Sequence, residues 1–289
     1  MKTIVISLDF ELGWGGVEEG FWKKREVAGV YRRLREDFYN LLADADRLEI
    51  PMTFAVVGAM IDSLNDSSFE HLPDGYRCSV RDFVSKAEDT TVFGRDLFDM
   101  ILAANVSHEV ASHTYSHLHA HHCDAVDQII LADLKKSLDV IGRYVDRPKS
   151  LVFPRDQKFS GSVLEESGLS VVRVPPKAES KSTLGRLLEV PPSTARAAGW
   201  GGGESSGSVL LNWSTGSKAI LKRRLVECKV RRGMLSDQDQ HYWFHPFNLS
   251  EVKGFSVWFR EVMEDIARMR DAGELRVCRM VDQVNYPAK

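Results

Sequence analysis

Thr3-Ile-Val-Ile-Ser-Leu-Asp-Phe-Glu11 is the stretch on which the fold turns. Residues 3–8 are a continuous β-branched and apolar run, the pattern of a strand buried on both faces in a parallel sheet. The run stops at Asp9 and gives way to Glu11 and the glycine-rich turn Gly13-Trp-Gly-Gly16. Side chains alternate along a strand, so Asp9 and Glu11 point the same way. A carboxylate pair at the C-terminal end of a barrel strand stands where such folds keep their catalytic groups. Taken alone, it also reads as a polar strand end before a turn.

Working outward, residues 24–48 place Val27, Val30, Tyr31, Leu34, Phe38, Leu41, Leu42, Ala45 and Leu48 at helical spacing, with charged residues between. Pro51 then precedes a second buried strand over 52–57. Strand, long helix and strand make a βαβ unit, whose crossover is right-handed. The alternation continues. Strands are expected at 151–156, 169–174, 209–213, 240–245 and 275–280. Helices are expected at 94–104, 124–145, 162–167, 217–230 and 252–271. About seven strands with helices between them suggest a (β/α) barrel or a doubly wound sheet. The segments 61–92 and 175–208 read as irregular insertions in a single domain. The glycine run Gly199-Trp-Gly-Gly-Gly203 lacks the strand-to-helix context of a phosphate loop and reads as a loop.

Composition narrows the classes. A chain of 289 residues that is 43% hydrophobic and 27% charged has the make-up of a soluble globular protein. A net charge of −3 gives no electrostatic case for nucleic acid. Lys222-Arg-Arg and Lys229-Val-Arg-Arg232 read as a solvated helix face, with an anionic-lipid contact as the alternative. Cys78, Cys123, Cys228 and Cys278 are far apart and read as reduced thiols. The apolar start breaks at Asp9, too soon for a signal-peptide core, and no run approaches a membrane span. A cytoplasmic protein is expected.

The polar candidates recur at strand ends. Ser107-His-Glu-Val-Ala-Ser-His-Thr-Tyr-Ser-His117 holds three of the chain's nine histidines. His113 and His117, four apart, can face one metal if the backbone between them turns helically; the stretch also reads as a histidine-rich surface loop. Arg155 ends a later strand and could equally be a surface or structural ion-pair residue. His245 ends another and could equally be a packed strand histidine. Asp9 and Glu11, His113 and His117, Arg155 and His245 together argue for a barrel with one site at its C-terminal face. His119, His121 and His122 read as solvated.

These residues, in this order, resemble the polysaccharide deacetylases, the NodB-homology or carbohydrate esterase family 4 group. Leu8-Asp-Phe-Glu11 resembles the family's first motif, Thr53-Phe-Ala-Val-Val-Gly58 its second strand, and His113-Thr-Tyr-Ser-His117 its H-S/T-x-x-H metal motif. Phe153-Pro-Arg155 stands near its Arg-x-Pro motif, and Phe244-His-Pro246 is similar to its late histidine motif. The resemblance implies a distorted (β/α)7 TIM-like barrel in one domain, α/β in class. It implies one divalent metal, most readily zinc, with cobalt, nickel or manganese possible, held by Glu11, His113 and His117. It implies Asp9 as catalytic base, His245 as acid and Arg155 as the partner of Asp9. The expected activity is removal of an N-acetyl group from an acetamido sugar of a glycan or lipid-linked glycan precursor. A deformylase or other linear amide hydrolase, or a glycan-binding protein without turnover, is the alternative. Three departures stand out: Phe10 separates the two acids, Arg155 follows its proline, and the family's Asp-Trp motif has no counterpart to orient His245.

Overall fold

The computed structural model describes residues 1–122, 126–174, 193–213 and 218–284. Its centre is β1 (Lys2–Phe10), every residue of which after Lys2 is buried. Alternation sends Ile4, Ile6, Leu8 and Phe10 outward into the layer shared with the helices. It sends Val5, Ser7 and Asp9 into the barrel. Helix α1 (Phe21–Val27) and α2 (Val30–Leu48) follow. The single helix expected over 24–48 is broken at Gly29, whose φ of 66° lies in the left-handed region that glycine adopts without a Cβ clash. Phe38 of α2 packs on Phe10 and on Phe54 of β2 (Thr53–Val56), with ring centroids 5.3 and 5.7 Å away. Full burial of such a side chain stabilises by about 2–3 kcal/mol.

The segment 61–92 holds more regular structure than its composition suggested, with α3 (Asp74–Lys86) and α4 (Asp89–Val92). Then come α5 (Arg95–Ala103), β3 (Glu109–Ser112), α6 (Asp127–Ile141), β4 (Ser150–Val152), α7 (Gly161–Ser167) and β5 (Val171–Arg173). Of the second expected insertion, 175–192 lies outside the described residues. Beyond it, β6 (Thr194–Ala197) pairs antiparallel with β7 (Gly203–Ser206), which is followed by β8 (Ser208–Leu210). The chain continues through α8 (Ala219–Leu235), β9 (Gln240–Phe244), α9 (Asn248–Glu251), α10 (Phe255–Asp271), β10 (Leu275–Cys278) and α11 (Met280–Val284). None of the described helices is long and apolar enough to cross a membrane.

The parallel strands run β7-β5-β4-β3-β2-β1-β9-β8. β7 and β8 are joined by Gly207 alone, at φ 80°. This bent run pairs with β5 through its first half and with β9 through its second, so it closes the ring. Counted as one stave, it makes a seven-stave, distorted TIM-like barrel in a single domain. β10 pairs with the lower half of β1 below β2.

The inward residues form layers. At the N-terminal end lie Thr53, Glu109 and Ser150. Above them Val5, Ala55, Ala111, Val152 and Val171 make a small apolar plug. Beyond the plug the interior turns polar, with Ser7, Asp9, His113, Arg173 and His241, all nearly inaccessible. Charges in such a place must be paired or ligate, and that requirement shapes the site.

Candidate metal centre

Glu11 stands one residue past β1 and is 7% exposed. Gly15 gives its carboxylate room, because a Cβ there would sit 2.1 Å from Glu11 Oε1. His113 follows β3 directly, and its N–H donates to Val56 O at 2.9 Å. The two histidines do not share a helix face. They sit on a loop in which Thr114 (φ 61°) and His117 (φ 64°) are both left-handed, a conformation that costs energy for residues other than glycine. The loop is held from several sides. Gly58 and Ala59 N–H groups donate to Thr114 and Tyr115 carbonyls at 2.9 and 2.8 Å. Wholly buried Asp133 of α6 accepts from the N–H groups of Tyr115 (3.1 Å) and Ser116 (3.2 Å) and from Ser116 Oγ (2.9 Å). Tyr76 Oη donates to Ser116 O at 2.9 Å.

One ligand atom each from Glu11, His113 and His117 lies within 4.8 Å of the others, the single such group of His, Cys, Asp and Glu among the described residues. Glu11 Oε2 is 2.9 Å from His117 Nε2 and 3.4 Å from His113 Nε2, and Oε1 is 3.5 Å from His245 Nε2. His113 Nδ1 donates to Val152 O at 2.8 Å. That bond fixes the proton on Nδ1 and leaves Nε2 with a lone pair. The buried Nε2 has no hydrogen-bond partner among the described residues. An orphaned buried imidazole nitrogen, a second imidazole and a carboxylate converging on one point fit a divalent ion.

The electrostatics agree. Burial pushes the Glu11 carboxyl up, but the charges of His245 and His117 and the close approach of the His113 and His117 rings prevail and hold it well below the usual range. Burial lowers His117, and His113 and Arg155 add to that against Glu11. His113 is raised: burial opposes protonation, but the nearby carboxylates of Glu11 and Asp9 outweigh it.

Asp9 lies beside this group and is 4% exposed. Its partner is Arg173 of β5, not Arg155. Arg173 Nη1 and Nη2 donate to Asp9 Oδ1 and Oδ2 at 2.6 and 2.7 Å, and Nη1 also donates to Ser7 Oγ at 3.1 Å. The guanidinium lies 4.2 Å from the Trp243 ring centroid. Burial raises the Asp9 carboxyl, and the charges of Arg173 and His113 more than reverse this, so it is held low. No motif or spacing in the sequence marks Arg173. The available signal was a lone arginine in an apolar strand, in register with inward Val171. Arg155 sits in a left-handed turn (φ 55°) after β4 and pairs with Glu19 at 2.5 Å, near enough to His117 to act on its charge.

His245 follows β9. Its ring stacks on Phe247 at 4.8 Å and meets Trp243 edgewise at 5.5 Å. Its Nδ1 has no hydrogen-bond partner among the described residues, so on that side aromatic packing rather than an acid positions the ring. His119, read as solvated, is 8% exposed, 2.8 Å from Gln157 Oε1 and 3.2 Å from Glu18 Oε2.

Solved structures share this barrel. A protein from Mycobacterium smegmatis assigned as a polysaccharide deacetylase aligns over 98% of this chain and 88% of its own, with 14% identity and a TM-score of 0.56. A carbohydrate esterase family 4 pseudoenzyme from Bacillus anthracis aligns over 98% of this chain and 65% of its own, at 11% identity and a TM-score of 0.51. A 4-α-glucanotransferase from Thermococcus litoralis aligns over 99% of this chain but only 41% of its own, at 11% identity and a TM-score of 0.58. The chain therefore shares its fold with a protein assigned as a polysaccharide deacetylase, with a family 4 pseudoenzyme and with a glucanotransferase. No protein-family model and no curated protein matches the sequence.

Proposed function

We propose that this protein is a metal-dependent hydrolase that removes an N-acetyl group from an acetamido sugar of a glycan or lipid-linked glycan precursor. The observation that carries the reading is the convergence of Glu11, His113 and His117 next to the Asp9–Arg173 pair. Glu11 and the Nε2 atoms of His113 and His117 would hold one divalent ion, with zinc the first choice for two imidazoles and a carboxylate. When bound, the ion would polarise an amide carbonyl and make water acidic near neutral pH.

The chain's own groups supply the rest. Asp9 is anionic at neutral pH and takes the proton of the attacking water. Arg173, with both nitrogens on the carboxylate, fixes its orientation and leaves little freedom to rotate. His245 Nε2, on the other side of Glu11, gives a proton to the departing sugar nitrogen. Arg155 and Glu19 form an ion pair close to His117, suited to polar contact with a sugar. The products are acetate and a free amino sugar.

A second reading, glycan binding without turnover, draws support from the unpartnered Nδ1 of His245, because an acid catalyst is usually oriented through that nitrogen. The test is acetate and formate release from acetamido and formamido sugars, free and lipid-linked, with divalent ions added back. Acetate release dependent on the ion is expected. Binding of the sugars without release of either acid would favour the second reading.

A further inference from the structure

Helix α8 packs on the barrel through Val226, Val230, Gly233 and Met234. At 100° per residue the opposite face carries Leu221, Arg224, Cys228, Arg231 and Leu235. This outer line is not merely polar. Leu221 is 61% exposed and Leu235 77%, and Ile220 at the helix start is 72% exposed. Leu221, Cys228 and Leu235 follow one another at seven-residue steps and span about 21 Å of helix. Arg224 and Arg231 flank them on one edge, and Arg232 flanks them on the other. The helix holds six basic residues against one acidic residue, Glu227, in a chain whose net charge is −3.

We propose that the outward face of α8 is a docking surface for an anionic lipid bilayer. Charge complementarity selects this occupant. Basic side chains at a negatively charged leaflet each add attraction, and arginine stems can lie along the acyl boundary while the guanidinium groups stay at phosphate level. Exposed leucines between the arginines supply apolar surface for shallow insertion, as in interfacial amphipathic helices. Pairing of this face with the same face of a second copy would set Arg224, Arg231 and Arg232 against their like. The groove that Arg224, Arg231 and Leu235 share with α10 holds three acidic groups; Glu227 is paired with Arg223 and Asp265 with Arg268, and Glu261 belongs to α10. The surface is independent of the proposed hydrolysis, since no residue of it touches the metal centre.

Flotation of the full chain with vesicles tests it. The vesicles are phosphatidylcholine alone or phosphatidylcholine with about 30% phosphatidylglycerol, an anionic surface. The chain should float with the anionic vesicles only and lose binding as salt rises. Leu221→Ser with Leu235→Ser, and separately Arg224→Glu with Arg231→Glu, should each lower partitioning at least about tenfold. Both pairs should leave the thermal midpoint and the divalent-ion content at the wild-type value. Flotation with neither vesicle, equal flotation with both, or wild-type partitioning of both double variants would overturn the proposal. So would a dimer in vesicle-free solution that the same variants dissociate, which would assign the face to a second copy.

Discussion

Glu11 and Glu109 are equally buried, each 7% exposed, at opposite ends of one barrel interior, and their carboxyls move in opposite directions. Glu109 begins β3 at the N-terminal end. It accepts from Thr53 Oγ1 at 2.7 Å, from Ser150 Oγ and from Val281 N–H at 3.1 Å. Burial raises it, and those donors only moderate the rise. Glu11 faces three imidazoles at the C-terminal end and is held low. Equal desolvation therefore gives different chemistry according to whether the neighbours can carry charge and donate lone pairs. Hydroxyls around a carboxyl plug the barrel floor. Imidazoles around a carboxylate offer a candidate ligand set, at the end where barrels of this kind keep their sites.

Substitutions can break this contrast, beginning with the largest effect. Asp9→Asn should keep the divalent ion and lower hydrolysis about a thousandfold, read by acetate release beside metal analysis. Arg173→Met leaves the Asp9 carboxylate buried and unpaired, and should cost about 3–5 kcal/mol in urea unfolding.

Acid should act through His241, which lies 2.8 Å from Ser7 Oγ and under Arg173, and whose pKa burial and Arg173 push down to about 3. The unfolded chain binds this proton below pH 6.5, while the folded chain does not until about pH 3. Its contribution is thus complete above pH 6.5 and lost as pH falls. Stability should drop by about 3 kcal/mol between pH 6.5 and pH 4. His241→Gln should flatten that slope in unfolding curves taken across the range. Smallest is Glu109→Gln. A carboxyl already raised by burial loses stability as pH rises through its folded pKa, so its neutral analogue should shift unfolding by at most about 1 kcal/mol at pH 7 and leave ion binding intact.

Much of the architecture was legible because periodicity is a local signal. The β1 run, the α2 stripe and the strand–helix alternation are written in neighbouring residues, and they led to the barrel. The pairing of Glu11 with His113 and His117 was also accessible, since each sits at a strand end and the motif order resembles a known family. What stayed hidden depends on distant partners or on backbone strain. Arg173 meets Asp9 across 164 residues, and no spacing rule links them. Nothing in the helical spacing of 124–145 marks Asp133, yet it holds the histidine loop from within. The left-handed turns at Thr114, His117 and Arg155 follow from tertiary contacts. They place the two histidines on a loop rather than a helix and turn Arg155 toward Glu19.

The central claim is that Glu11, His113 and His117 form a metal centre while equally buried Glu109 does not. Its most direct measurement is divalent-ion content and affinity of purified wild type, His113→Ala with His117→Ala, and Glu109→Gln after reloading with zinc. The account predicts about one tightly held ion in wild type and in Glu109→Gln, and none in the double histidine variant. An unchanged ion content in the double variant, or no tight binding in the wild type, would contradict it.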